Sequence, residues 1–183
     1  MFLGLLLQVT TLIFAKRTLE LGDVNASIIL ASIALGVGVG SSLVGEVSGK
    51  KVELGIIPIA CILCSFFCFL LQFAGTSFYL SLCLLFFVGT SYGAIVVPLN
   101  TYIQQRSPKK YCGGVIATSN FVSSLAMIGS CLCFWSFFDI FEFKATDIFR
   151  FFSILNIIIV SIVLWKVPSL KTRSLNFIRS AKT

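Results

Sequence analysis

Two stretches of this chain carry residue types that do chemistry in other settings. GVGVGSSLVGEVSGKK, residues 36–51, runs glycines into a lysine pair, and CILCSFFC, residues 61–68, contains a Cys-x-x-Cys. A glycine-rich run closing on lysine cradles a phosphate when it joins a strand to a helix as G-x-x-x-x-G-K-[ST]. Ending that pattern at Gly49-Lys50 puts Val44 where the first glycine belongs and Lys51 where Ser or Thr belongs. A dinucleotide fingerprint fails as well, because Gly38-Val39-Gly40 continues into Ser41, Ser42 and Leu43. The cysteine pair would suit zinc or redox chemistry in a polar loop. Here Cys61, Cys64 and Cys68 stand among apolar residues, and the chain has no His. They read as small apolar helix residues, and neither a metal nor a cofactor is expected.

The elements holding these stretches explain why the soluble motifs fail. The chain has 183 residues, 57% of them hydrophobic and 11% charged, with a mean hydropathy of +1.02. Soluble domains carry about 25% charged residues, so this composition belongs to an all-α membrane protein. A span needs about 20 apolar residues. Six stretches meet or approach that length, at roughly 1–15, 27–45, 54–74, 78–100, 112–138 and 149–165. They make a six-helix transmembrane domain over 1–166, followed by a basic tail over 167–183. The first stretch is short. It lacks the charged start and small-residue cleavage site of a signal peptide, and reads as a span missing its upstream part or continuing helically towards Leu21.

Charge placement supplies a direction. Lys50, Lys51, Arg106, Lys109, Lys110, Lys166, Lys171, Arg173, Arg179 and Lys182 fall on one side of the six spans, with Glu46 and Glu53. Lys16, Arg17, Lys144 and Arg150 fall on the other, among Glu20, Asp23, Asp139, Glu142 and Asp147. Cytoplasmic segments collect Lys and Arg, so both termini and the loops near 46–53 and 104–111 are expected in the cytoplasm. The net charge of +7 then reflects topology, and no nucleic-acid partner is expected. Tyr79 and Trp135 lie at outer ends of spans, and Tyr102, Tyr111 and Trp165 at inner ends, the levels that amphipathic rings favour.

Within this frame the glycine run is a membrane helix and its cytoplasmic mouth. Ser32, Gly36 and Gly40 recur every four residues, as do Ser41, Gly45 and Gly49. Small residues at that spacing let helix backbones approach closely in lipid, so Gly36, Gly40 and Gly45 are expected against a neighbouring helix. Gly38, Glu46, Gly49, Lys50 and Lys51 also resemble the loop signature between the second and third helices of each half of the major facilitator superfamily. Glu46-Val47 stands where that signature has an Asp-Arg pair.

GKKVELGIIPIA (49–60), VVPLNTYIQQRSP (96–108) and GGVIATSNF (113–121) further resemble the second half of the bacterial lysophospholipid transporter family. That resemblance runs from about residue 3 to 166 and implies helices seven to twelve of a twelve-helix facilitator. It implies a bacterial inner-membrane protein that flips lysophospholipids, most closely of the 2-acyl-glycerophosphoethanolamine type. Family members are in some cases fused to acyltransferase and acyl-carrier-protein synthetase domains, so such an enzyme is an expected partner, together with membrane lipid. The missing wall of the pathway would come from a separate N-terminal six-helix half or from a second copy of the chain.

Few polar groups lie at depth. No Asp, Glu, Lys, Arg or His falls near the centre of a span, which argues against a complete proton relay in this half and against a membrane hydrolase. No catalytic residue is expected. Asn120, Ser123, Ser124 and Met127 share one helix face by spacing. With Asn100 and Gln8 these polar residues read either as interhelical hydrogen bonding or as the wall of a substrate pathway. Pro98, with Gly89 and Gly93 upstream, reads as a bend for alternating access or as a static packing kink. Two other functions remain open on this reading: a non-transporting remnant or interaction subunit, and half of another facilitator such as a drug efflux protein.

Overall fold

A computed structural model describes residues 2–19, 21–48, 55–74, 77–108, 111–136 and 145–166. All the regular structure among them is helical. Helix α1 spans Phe2–Ile13 and continues into a π-turn at Phe14–Thr18. Then follow α2 (Asp23–Ser48), α3 (Ile56–Leu70) with a 3-10 turn at Leu71–Phe73, α4 (Phe78–Arg106), α5 (Cys112–Trp135) and α6 (Ala145–Lys166). Four of them are long and apolar enough to cross a membrane: Asp23–Glu46, Ile56–Phe73, Phe78–Arg106 and Cys112–Trp135. Helices α2, α4 and α6 outrun their apolar stretches because backbone hydrogen bonding continues into the polar boundary. α4 runs through Pro98 and onward over Thr101–Arg106, where the apolar run has already ended.

The closest packing joins α2 to α4. Gly36 and Gly40 are buried on α2, and a Cβ at either would overlap main-chain atoms of Phe86 or Thr90. Gly89 and Gly93 answer from α4, where a Cβ would overlap the carbonyl oxygens of Ile33 and Val37. The contacts advance along both helices together, so α2 and α4 run parallel. The second small-residue ridge behaves differently. Gly45, expected to pack as well, is exposed, with nothing within 4 Å of an added Cβ. Five residues past Gly40 is a rotation of about 140° at 3.6 residues per turn, which carries Gly45 off the α4-facing side. Gly49, the last member of that ridge, lies outside the described residues, as do Lys50, Lys51, Lys109, Lys110 and the 167–183 tail.

Around this pair the other helices close a core. α3 packs on α4 and α6, α6 on α3 and α1, and α5 chiefly on α1. Phe14 of the π-turn meets Phe149 of α6 edge-on, with ring centroids 5.5 Å apart. Phe67 of α3 stacks on Phe87 of α4 at 5.1 Å. Cys64 and Cys68 are buried in the same apolar cluster.

Many hydroxyls are satisfied by the helices that carry them, whereas the buried hydroxyls of Thr10, Ser81 and Ser130 have no partner among the described residues. Thr11 donates to the Leu7 carbonyl, Ser65 to Cys61, Thr90 to Phe86 and Ser91 to Phe87. This keeps polar groups paired in a medium without water. Ser153 of α6 reaches across instead and donates to the Ser65 carbonyl of α3 at 2.8 Å.

Candidate functional site

Helices α1 and α2 touch sparingly although they are consecutive. Lys16 and Asp23 join them at one end through an ion pair of 2.8 Å. The π-turn holds Phe14 and Ala15 in the core while leaving Lys16 on the surface. Below that pair the two helices part around a cavity of about 390 Å³. α1 contributes Gly4, Leu5, Leu7 and Gln8 to its wall, and α2 contributes Leu30, Ile33, Ala34 and Val37. Tyr92 of α4 and Met127 of α5 complete it. Among the described residues the lining contains no charged side chain, and its side-chain polar groups are the Gln8 amide and the Tyr92 hydroxyl. Ligand sites in proteins are typically about 300–1,000 Å³, mostly apolar with a few placed polar groups.

The residues singled out from the sequence divide around this cavity. Gln8 lines it. Of the face Asn120, Ser123, Ser124 and Met127, only Met127 reaches it. Asn120 and Ser124 are exposed on α5, and the Ser124 hydroxyl donates to the Asn120 carbonyl of its own helix at 3.0 Å. Ser123 lies in a shallow groove along α5 with Ser119 and Thr118. Asn100 is exposed near the Arg106 end of α4, away from the cavity wall. Gly38 and Glu46 of the loop signature lie on the outward side of α2, with Ala34, Leu35 and Ser42. An added Cβ at Gly38 meets nothing within 4 Å, and the hydroxyls of Ser41 and Ser42 both donate to its carbonyl. α5 is the least enclosed helix, with Ser130 its one buried residue.

Sequence reasoning missed Tyr92, although a signal was present. The other tyrosines, Tyr79, Tyr102 and Tyr111, stand at or near helix ends, as interfacial tyrosines do. Tyr92 stands halfway along α4, so its hydroxyl needs a local reason to be there. Gly89-x-x-x-Gly93 was likewise read only beside Pro98, although its spacing matches the Gly36-x-x-x-Gly40 ridge it packs against.

Long apolar helices around such a cavity make this a multi-pass helical membrane protein. A family model described as Major Facilitator Superfamily matches residues 1–130, and the chain belongs to that superfamily. Its members are generally transporters rather than enzymes, which places the chain in membrane transport. No curated protein and no solved structure matches it.

Proposed function

We propose that this chain is the helix-seven-to-twelve half of a lysophospholipid transporter in a bacterial inner membrane, with both termini in the cytoplasm. The observation that carries the reading is the cavity bounded by Gln8, Tyr92 and Met127: apolar, free of charge among the described residues and walled mainly by α1 and α2. A single acyl chain suits such a wall, whereas a phosphate would meet no cation in it. The headgroup is then left to the boundary and to a partner. A midplane cavity between two rocking halves would carry the lipid, the halves being related by an axis along the membrane normal.

The exposed side of α5 supports a chain that works with another. Asn120 and Ser124 face outward there beside Phe121 and Leu125, and a separate six-helix half would cover them. A second copy of this chain is the other arrangement, since facilitator halves are parallel repeats and need no inversion to pair. An acyltransferase or acyl-carrier-protein synthetase would consume the lipid delivered. The same uncharged lining favours one competing reading, half of a facilitator for an apolar drug.

Reconstitution in liposomes with a fluorescent lysophospholipid, and with crosslinking to report stoichiometry, tests the proposal. Saturable flipping that requires a second co-purified six-helix chain, or a crosslinked pair of this one, supports it. Saturable flipping by an uncrosslinkable single chain overturns the half-transporter reading. Movement of an apolar dye with none of the lysophospholipid replaces it with drug efflux.

A further inference from the structure

We propose that Tyr92, seated against Gly4, forms the floor of the cavity and sets the length of acyl chain this half accepts. The inference rests on the lysophospholipid reading and adds a residue-level determinant to it. A Cβ at Gly4 would overlap Oη and Cζ of Tyr92 and stand 3.1 Å from Cε1. The tip of the ring therefore rests on the α1 backbone, and glycine at position 4 is what admits it. Tyr92 thus bridges α4 to α1, both residues belong to the cavity wall, and Gly4 is the α1 lining residue farthest from Lys16 among the described residues.

Depth gives this bridge its meaning. At 1.5 Å per residue, Gly4 lies about 18 Å along the first helix from Lys16, and Val37 about 21 Å along α2 from Asp23. The Lys16–Asp23 pair marks one boundary, and the hydrocarbon core is about 30 Å thick. The Gly4–Tyr92 contact therefore lies near the midplane. Leu30 and Ile33 line the cavity on the Lys16 side of that contact. The lining nearest that pair, Leu30 and Gln8, lies about 10–12 Å from it along the two helices, so a chain whose headgroup stays at the Lys16–Asp23 level enters the cavity with its distal carbons and ends on the tyrosine ring. A longer chain must fold back or force the helices apart, since packed interiors resist added methylenes.

The test is competition binding to the full chain in detergent, using lysophosphatidylethanolamines with 12, 14, 16 and 18 carbons against a fluorescent lysophospholipid. Tyr92→Phe keeps the ring and should keep the wild-type length profile. Tyr92→Ala opens the floor and should move the preference to longer chains, changing the 18- to 14-carbon affinity ratio by roughly tenfold. Gly4→Ala should alter the profile in the wild-type background but not beside Tyr92→Ala, because its clash is with that ring. A lipid carrying a diazirine at the end of its chain should label the Tyr92–Gly4 region, and one carrying it in the headgroup should not. Lipid binding with the same profile in Tyr92→Ala as in wild type overturns the floor and leaves the lysophospholipid reading standing. Failure of the wild-type chain to bind any of the four lipids overturns both. If Gly4→Ala does not fold, the two Tyr92 variants and the chain-end label still decide the matter.

Discussion

Gly40 of α2 lies so close to Thr90 of α4 that a Cβ on the glycine would stand on the carbonyl oxygen of the threonine. Backbone, unlike the end of a flexible side chain, cannot turn aside. Gly40→Leu should therefore separate the two helices and destabilise the fold by roughly 1–3 kcal/mol or more. Gly38→Ala and Gly45→Ala, with nothing within 4 Å, should be tolerated, as should Leu43→Phe on the exposed side of α2. Folded yield and thermal stability in detergent check this, and equal losses at Gly38 and Gly40 would refute the packing assignment.

The aromatic contact between the π-turn and α6 should be measurable as a coupling. Phe14 and Phe149 are both buried and meet edge-on. A double-mutant cycle to Leu should return a favourable interaction of about 0.5–1.5 kcal/mol. A coupling near zero would mean that the π-turn is held by burial alone.

The link from Ser153 to Ser65 offers a second measure of how α6 is held. Ser153→Ala removes the donor to the α3 carbonyl and should cost about 0.6–1 kcal/mol. Ser161→Ala removes a hydroxyl that bonds within its own helix on an exposed face and should cost less. Chemical denaturation of the two variants in the same detergent compares them directly.

The direction of the chain is open to labelling. In a variant with the native cysteines replaced, Arg106→Cys should react with an impermeant thiol reagent only after cells are opened. Lys16→Cys should react in intact cells. The ten-to-four split of basic residues between the two sides motivates both, and the reverse pattern would invert the topology.

What the sequence determined by itself is the presence and approximate extent of the long apolar helices. Composition suffices there, because every backbone amide in hydrocarbon must be paired and a helix does this locally. The stretch 78–100 was legible for that reason, and its extension to Arg106 was not, since polar residues at the boundary carry no apolar signal. Rotation of each helix was decided only by tertiary structure. In water a buried face is marked by its apolarity. In lipid the outward face is as apolar as the inward one, and packing of small residues replaces the hydrophobic difference. Gly36, Gly40 and Gly45 are therefore alike as letters, and only the position of α4 makes the first two contacts and the third a surface residue. Tyr92 follows the same logic. Its place in mid-helix was visible, but the space it bounds exists only once α1, α2, α4 and α5 stand around it.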